Sequence, residues 1–82
     1  VTAAHQFHEE DPERTIAARE ASARLDRALG ELPVNQRAAL LLTEVQGLSN
    51  QQVADVMNLG VRAVESLLAR ARRTLRERLL ET

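Results

Sequence analysis

The segment from Ser49 to Arg73, SNQQVADVMNLGVRAVESLLARARR, constrains the fold more than any other part of the chain. It sets a short amphipathic stretch, a tight turn and a longer amphipathic stretch at the spacing of a helix-turn-helix. Val53, Ala54, Met57 and Leu59 are expected to close a small core with Val64, Leu67 and Leu68. Ala54 belongs where the two helices approach most closely, since an overpacked contact of this kind costs about 1–3 kcal/mol. Ser49 fits an N-cap, with Gln52 at the capping-box position three residues on. Asn58 fits the turn, because Asn tolerates the left-handed backbone conformation, and Gly60 precedes the second helix.

That second helix is predicted from Val61 to about Leu80. At about 100° per residue, Val61, Val64, Leu67, Leu68, Ala71, Leu75 and Leu79 share one side. Arg62, Ser66, Ala69, Arg70 and Arg73 fall opposite. Arginine donates two bonds to guanine, serine bonds several base edges, and alanine permits close approach or touches a thymine methyl. The stripe therefore suits the major groove of double-stranded DNA.

The charge distribution agrees with this reading better than the net charge of −1 does. Residues 61–82 hold six arginines against three acids, whereas residues 1–32 hold four against seven, so the positive field concentrates on the last helix. Eighty-two residues allow one domain. The absence of cysteine excludes disulfides and thiolate metal ligands. No apolar run is long enough for a membrane span, and no signal peptide is evident, which suggests a fragment of a larger cytoplasmic protein. Phe7 is the single aromatic residue, so the core must be aliphatic. No nucleophile–base pair, glycine-rich phosphate loop or metal cluster appears, which argues against an enzyme, and no cofactor is implied.

Residues 1–13 read as a flexible linker or tail interrupted by Pro12. His5 and His8 stand three apart there, a spacing that holds metal only on a formed helix, so no metal site is assigned. Residues 14–82 read as one all-α domain, a compact bundle of about four helices ending in the helix-turn-helix with its long recognition helix. A first helix is predicted from Arg14 to Leu32, with Ala18, Ala21, Leu25, Ala28, Leu29 and Leu32 on one side, stopped by Pro33. In the second, Val34, Ala38, Leu41, Leu42 and Val45 share a face, and Gly47 is the expected C-terminal cap. Leu40 falls almost opposite that face. It either packs against the first helix or belongs to a partner-binding surface.

Residues Leu32 to Leu75 resemble region 4 of bacterial sigma factors of the sigma-70 family, in particular the extracytoplasmic-function group. The resemblance rests on several short matches at unbroken spacing. They are the Leu32-Pro33 opening followed by Arg37, Gly47-Leu48-Ser49, Val53-Ala54, Val64-x-Ser66 and Arg70-Ala71-Arg72. It implies promoter recognition in transcription initiation, through binding of the minus-35 element while attached to RNA polymerase core by way of the beta flap, with an anti-sigma factor as a further partner. It also implies base contacts from Arg62, Glu65, Ser66, Ala69 and Arg70, and phosphate contacts from Arg37, Arg73 and the helix start at Ser49. Glu65 and Leu67 stand where the family commonly carries a basic residue. Glu65 either accepts from a cytosine amino group or repels phosphates. Two other readings remain open at this point: a LuxR-type response-regulator DNA-binding domain, suggested by SNQQVA, and a sigma-like mimic that binds an anti-sigma factor and never DNA.

Overall fold

A computed structural model describes residues 12–80. They form four α-helices: α1 (Pro12–Gly30), α2 (Val34–Glu44), α3 (Asn50–Met57) and α4 (Val61–Leu80). The described residues contain no strand. The expected tail lies, up to Asp11, outside the described residues, and so do His5 and His8. Pro12 opens α1 instead of interrupting a tail, so the first helix starts two residues earlier than its apolar spacing suggested. Proline costs nothing there, because the first helical amide has no partner within the helix.

α4 is the spine of the bundle and packs on each of the other three helices, while α2 also meets α3. The core joins Leu32, Ala39, Leu40, Val53, Ala54, Val64, Leu68 and Ala71, with Leu29, Leu42, Leu48, Met57, Val61, Leu67 and Leu75 packed around it. It is aliphatic, as expected. Ala39, Ala54 and Ala71 are fully buried. Residues this small let helix backbones approach closely, and any added methylene there strains its neighbours.

Four expectations need correction. Leu40 is 6% exposed and belongs to the core, so it is not an outward-facing partner contact. The face expected of α2 is rotated away from the core: Val34 and Val45 are 69% and 70% exposed, while Ala39 and Leu40 are buried. The apolar run Ala38 to Leu42 is continuous and carries no helical period that could orient the helix. Leu59, assigned to the core, is 38% exposed. It follows the left-handed residue of the turn, where the chain has already left α3.

The apolar face expected of α1 is the fourth. Ala28 and Leu32 are buried and Leu29 is half-buried, but Ala18, Ala21 and Leu25 are exposed. The last turns of α4 are tied to the second half of α1. There the Arg24 guanidinium donates to the Leu79 carbonyl (2.7 Å), and Glu31 pairs with Arg78 (3.1 Å). Between Pro12 and Arg24 the apolar side of α1 is largely exposed, with Ile16 at 54%.

Candidate nucleic-acid interface

The helix-turn-helix is built by local hydrogen bonding at each joint. Gly47 takes a φ of 72°, and the Leu48 amide donates back to the Leu42 carbonyl (3.1 Å), which ends α2 and turns the chain. Ser49 then caps α3: its hydroxyl accepts from the Gln52 amide (3.1 Å), and its own amide donates to Gln52 Oε1 (2.8 Å). This reciprocal pair leaves the Asn50 and Gln51 amides at the open end of α3, outside the helix's own ladder.

α3 stops at Asn58, which adopts φ 58° and ψ 48°. The Leu59 amide donates to the Ala54 carbonyl (2.9 Å) and the Asn58 amide to the Asp55 carbonyl (3.3 Å), the paired bonds of a Schellman motif. Two residues later the Val64 amide donates to the Gly60 carbonyl (3.1 Å), which starts α4. Val53, Ala54, Val64 and Leu68 lock the two helices together.

α4 divides its residues cleanly. Val64, Leu68 and Ala71 are buried and Val61, Leu67, Leu75 and Leu79 half-buried, as the periodicity predicted. Arg62, Glu65, Ser66, Ala69, Arg70 and Arg73 are all exposed. The arginines divide as well. Arg72 pairs with Glu44 of α2 (2.9 Å) and Arg78 with Glu31. Among the described residues, none forms an ion pair with Arg62, Arg70, Arg73 or Arg76.

Arg37 is placed differently from the rest of the expected site. It is half-buried, and its Nη1 donates to the carbonyls of Leu29 (3.5 Å) and Gly30 (3.2 Å). It thus satisfies the open end of α1, a charge-assisted cap that complements the helix dipole. The sequence carries no clear sign of this bond or of the Glu44–Arg72 pair, because their partners lie on separate helices.

An apolar groove runs between α1, α2 and α4, walled by Leu25, Leu29, Leu40, Leu41, Val45 and Leu75. Leu25, Leu41 and Val45 keep exposed surface in it. No described helix is long and apolar enough to cross a membrane.

This architecture defines a helix-turn-helix protein with an arginine-rich outer side on its second helix. Comparison with known proteins places it further. The family model described as Sigma-70, region 4 matches residues 22–75. The chain is 40% identical over 67 residues to RNA polymerase sigma factor CnrH of Cupriavidus metallidurans, an alignment covering 82% of this chain and 35% of that protein. It is 38% identical over 66 residues to the RNA polymerase sigma-H factor of Pseudomonas aeruginosa, covering 80% of this chain and 34% of the relative. RNA polymerase sigma factor NccH of Alcaligenes xylosoxydans is 36% identical over 64 residues, 78% of this chain and 34% of that protein. The chain belongs to the sigma-70 region 4 family. It spans about a third of the length of these curated relatives. Membership sets aside the response-regulator reading. The family match begins at Ser22, two residues before Arg24, whose guanidinium donates to the Leu79 carbonyl of α4.

Proposed function

We propose that this chain recognises promoter DNA in transcription initiation. It acts as the domain of an alternative sigma factor that lays α4 in the major groove of the minus-35 element while RNA polymerase core holds it in place. The observation that carries this reading is the sorting of the α4 arginines. Those turned toward α1 and α2 are neutralised by Glu31 and Glu44, whereas Arg62, Arg70 and Arg73 stay exposed and unpaired beside Ser66 and Ala69. An unpaired arginine row costs the fold electrostatic repulsion, and a phosphate-lined groove relieves it.

In this role Arg62, Glu65, Ser66, Ala69 and Arg70 face base edges, and Arg73 meets a phosphate. The open amides at the start of α3, behind the Ser49 cap, meet another, as helix N-termini do. Arg37, engaged with the end of α1, steadies the bundle and is not required as a phosphate contact. The polymerase flap, or an anti-sigma factor that competes with it, is accommodated by the groove where Leu25, Leu41 and Val45 remain exposed. Such a factor works in the cytoplasm, where the promoters are.

Selection of bound duplexes from a random pool, with and without core polymerase, followed by a salt titration on the selected DNA, tests the reading. A common element should emerge, and log K should fall linearly with log salt, with a slope of about −0.9 for each phosphate met. An unselective pool and salt-independent binding would leave the anti-sigma mimic as the better account.

A further inference from the structure

The outer side of α4 is arginine-rich, and Glu65 is out of character with it. Its carboxylate is exposed, and no described residue pairs with it. Arg62 stands three positions earlier, near enough on a helix for an ion pair, yet none is formed. Glu65 lies in the first half of α4, the part of a recognition helix that meets base edges in this architecture. Glu77 is also exposed, but it stands twelve positions further along, about 18 Å down the axis, beyond a groove about 12 Å wide. Of the two glutamates on α4, Glu65 is the one that a bound duplex has to accommodate.

Duplex DNA carries one negative charge per about 1.7 Å of axis, so a carboxylate inserted there is repelled unless a donor receives it. Guanine presents acceptors at N7 and O6, thymine an acceptor at O4, and adenine an N6 donor beside the N7 acceptor. Cytosine presents its N4 amino group alone. A carboxylate thus finds an unopposed donor on one base in four.

We propose that Glu65 is a specificity-determining residue, accepting a hydrogen bond from the N4 amino group of one cytosine in the element that α4 binds. This rests on the major-groove reading above and deepens it. The residue acts chiefly by exclusion: it weakens binding to random DNA and to the other three bases, and the cytosine contact recovers the loss. Such a device raises the ratio of specific to non-specific binding, which matters more to a promoter-reading protein than affinity alone.

The test selects duplexes from a random pool with the 82-residue chain, with and without core polymerase. It compares the wild type with Glu65→Gln, Glu65→Ala and Arg62→Ala, then measures affinity on four duplexes that differ at one position. The wild type should prefer cytosine there by about 5- to 100-fold. Glu65→Gln should move the preference to adenine, whose N6 and N7 match a carboxamide in two bonds. Glu65→Ala should lose the preference and bind random DNA more tightly, with unchanged helical circular dichroism because the position is exposed.

Equal strengthening of all four duplexes by Glu65→Ala would overturn the proposal, leaving repulsion alone. So would a changed preference confined to the base pair that Arg62→Ala also affects, because Glu65 would then act through Arg62. A wild-type pool enriched in an element with no Glu65-dependent cytosine overturns this inference and leaves promoter recognition standing. A pool enriched in nothing overturns both.

Discussion

α1 and α4 are nearly equal in length, 19 and 20 residues, and each repeats apolar residues at helical spacing, yet they meet different fates. α4 buries its apolar side along the whole bundle because α1, α2 and α3 all pack on it. α1 buries only Ala28, with Leu29 half-buried and Leu32 just beyond its end, and leaves Ala18, Ala21 and Leu25 exposed. Helical periodicity states which side is buried if something covers it, and it carries no information on whether anything does. The charges differ in the same way. α1 intersperses Arg14, Arg19, Arg24 and Arg27 with Glu13, Glu20 and Asp26, whereas α4 carries six arginines against Glu65 and Glu77. A mixed surface is soluble and indifferent, while a one-sign surface attracts a polyanion.

The contrast breaks most easily at the core. Leu68→Ala should cost about 2–5 kcal/mol by urea unfolding, a large part of the stability open to so small a domain. Leu25→Ala, at a position 40% exposed, should cost less than about 1 kcal/mol, since little apolar area returns to water. Similar losses at the two positions would mean that α1 is as firmly held as α4. A middle-sized effect is expected at the joint between them in sequence: Ser49→Ala removes the hydroxyl that accepts from Gln52 and should lower stability by about 0.5–2 kcal/mol, read as a lowered melting temperature. The smallest effect belongs to Arg72→Ala. Its pair with Glu44 is largely solvent-exposed, with side-chain exposures of 47% and 58%. Such pairs contribute about 0–1 kcal/mol, and the loss should shrink further in high salt.

How far the fold is legible in the sequence follows from these same residues. Ser49 with Gln52, Asn58 and Gly47 announce their caps and turns by local chemistry, and each adopts the geometry its type favours. The sides of α4 are legible because polar and apolar residues alternate at a steady period from Val61 to Leu79. α2 is not legible in this way: an unbroken run from Ala38 to Leu42 leaves its orientation to tertiary packing, which buries Leu40 and turns Val45 outward. Of the expected interface, the α4 residues lie together on one exposed side. Arg37 instead closes the end of α1, a contact between separate helices that no spacing rule foretells. The pairing of Arg72 but not Arg73 is likewise a product of where Glu44 lies in the bundle.

In the proposed promoter recognition, the unpaired Arg70 and Arg73 of α4 meet DNA in distinct ways. Affinities of Arg70→Ala and Arg73→Ala, each measured on the selected duplex and on random DNA across a range of salt, address this directly. Arg70→Ala should lose about 1–3 kcal/mol on the selected duplex and relax the preference at one base pair. Arg73→Ala should weaken binding to both DNAs alike and reduce the salt slope by about 1. Full retention of affinity and salt slope in both variants would show that this side of α4 does not face DNA at all.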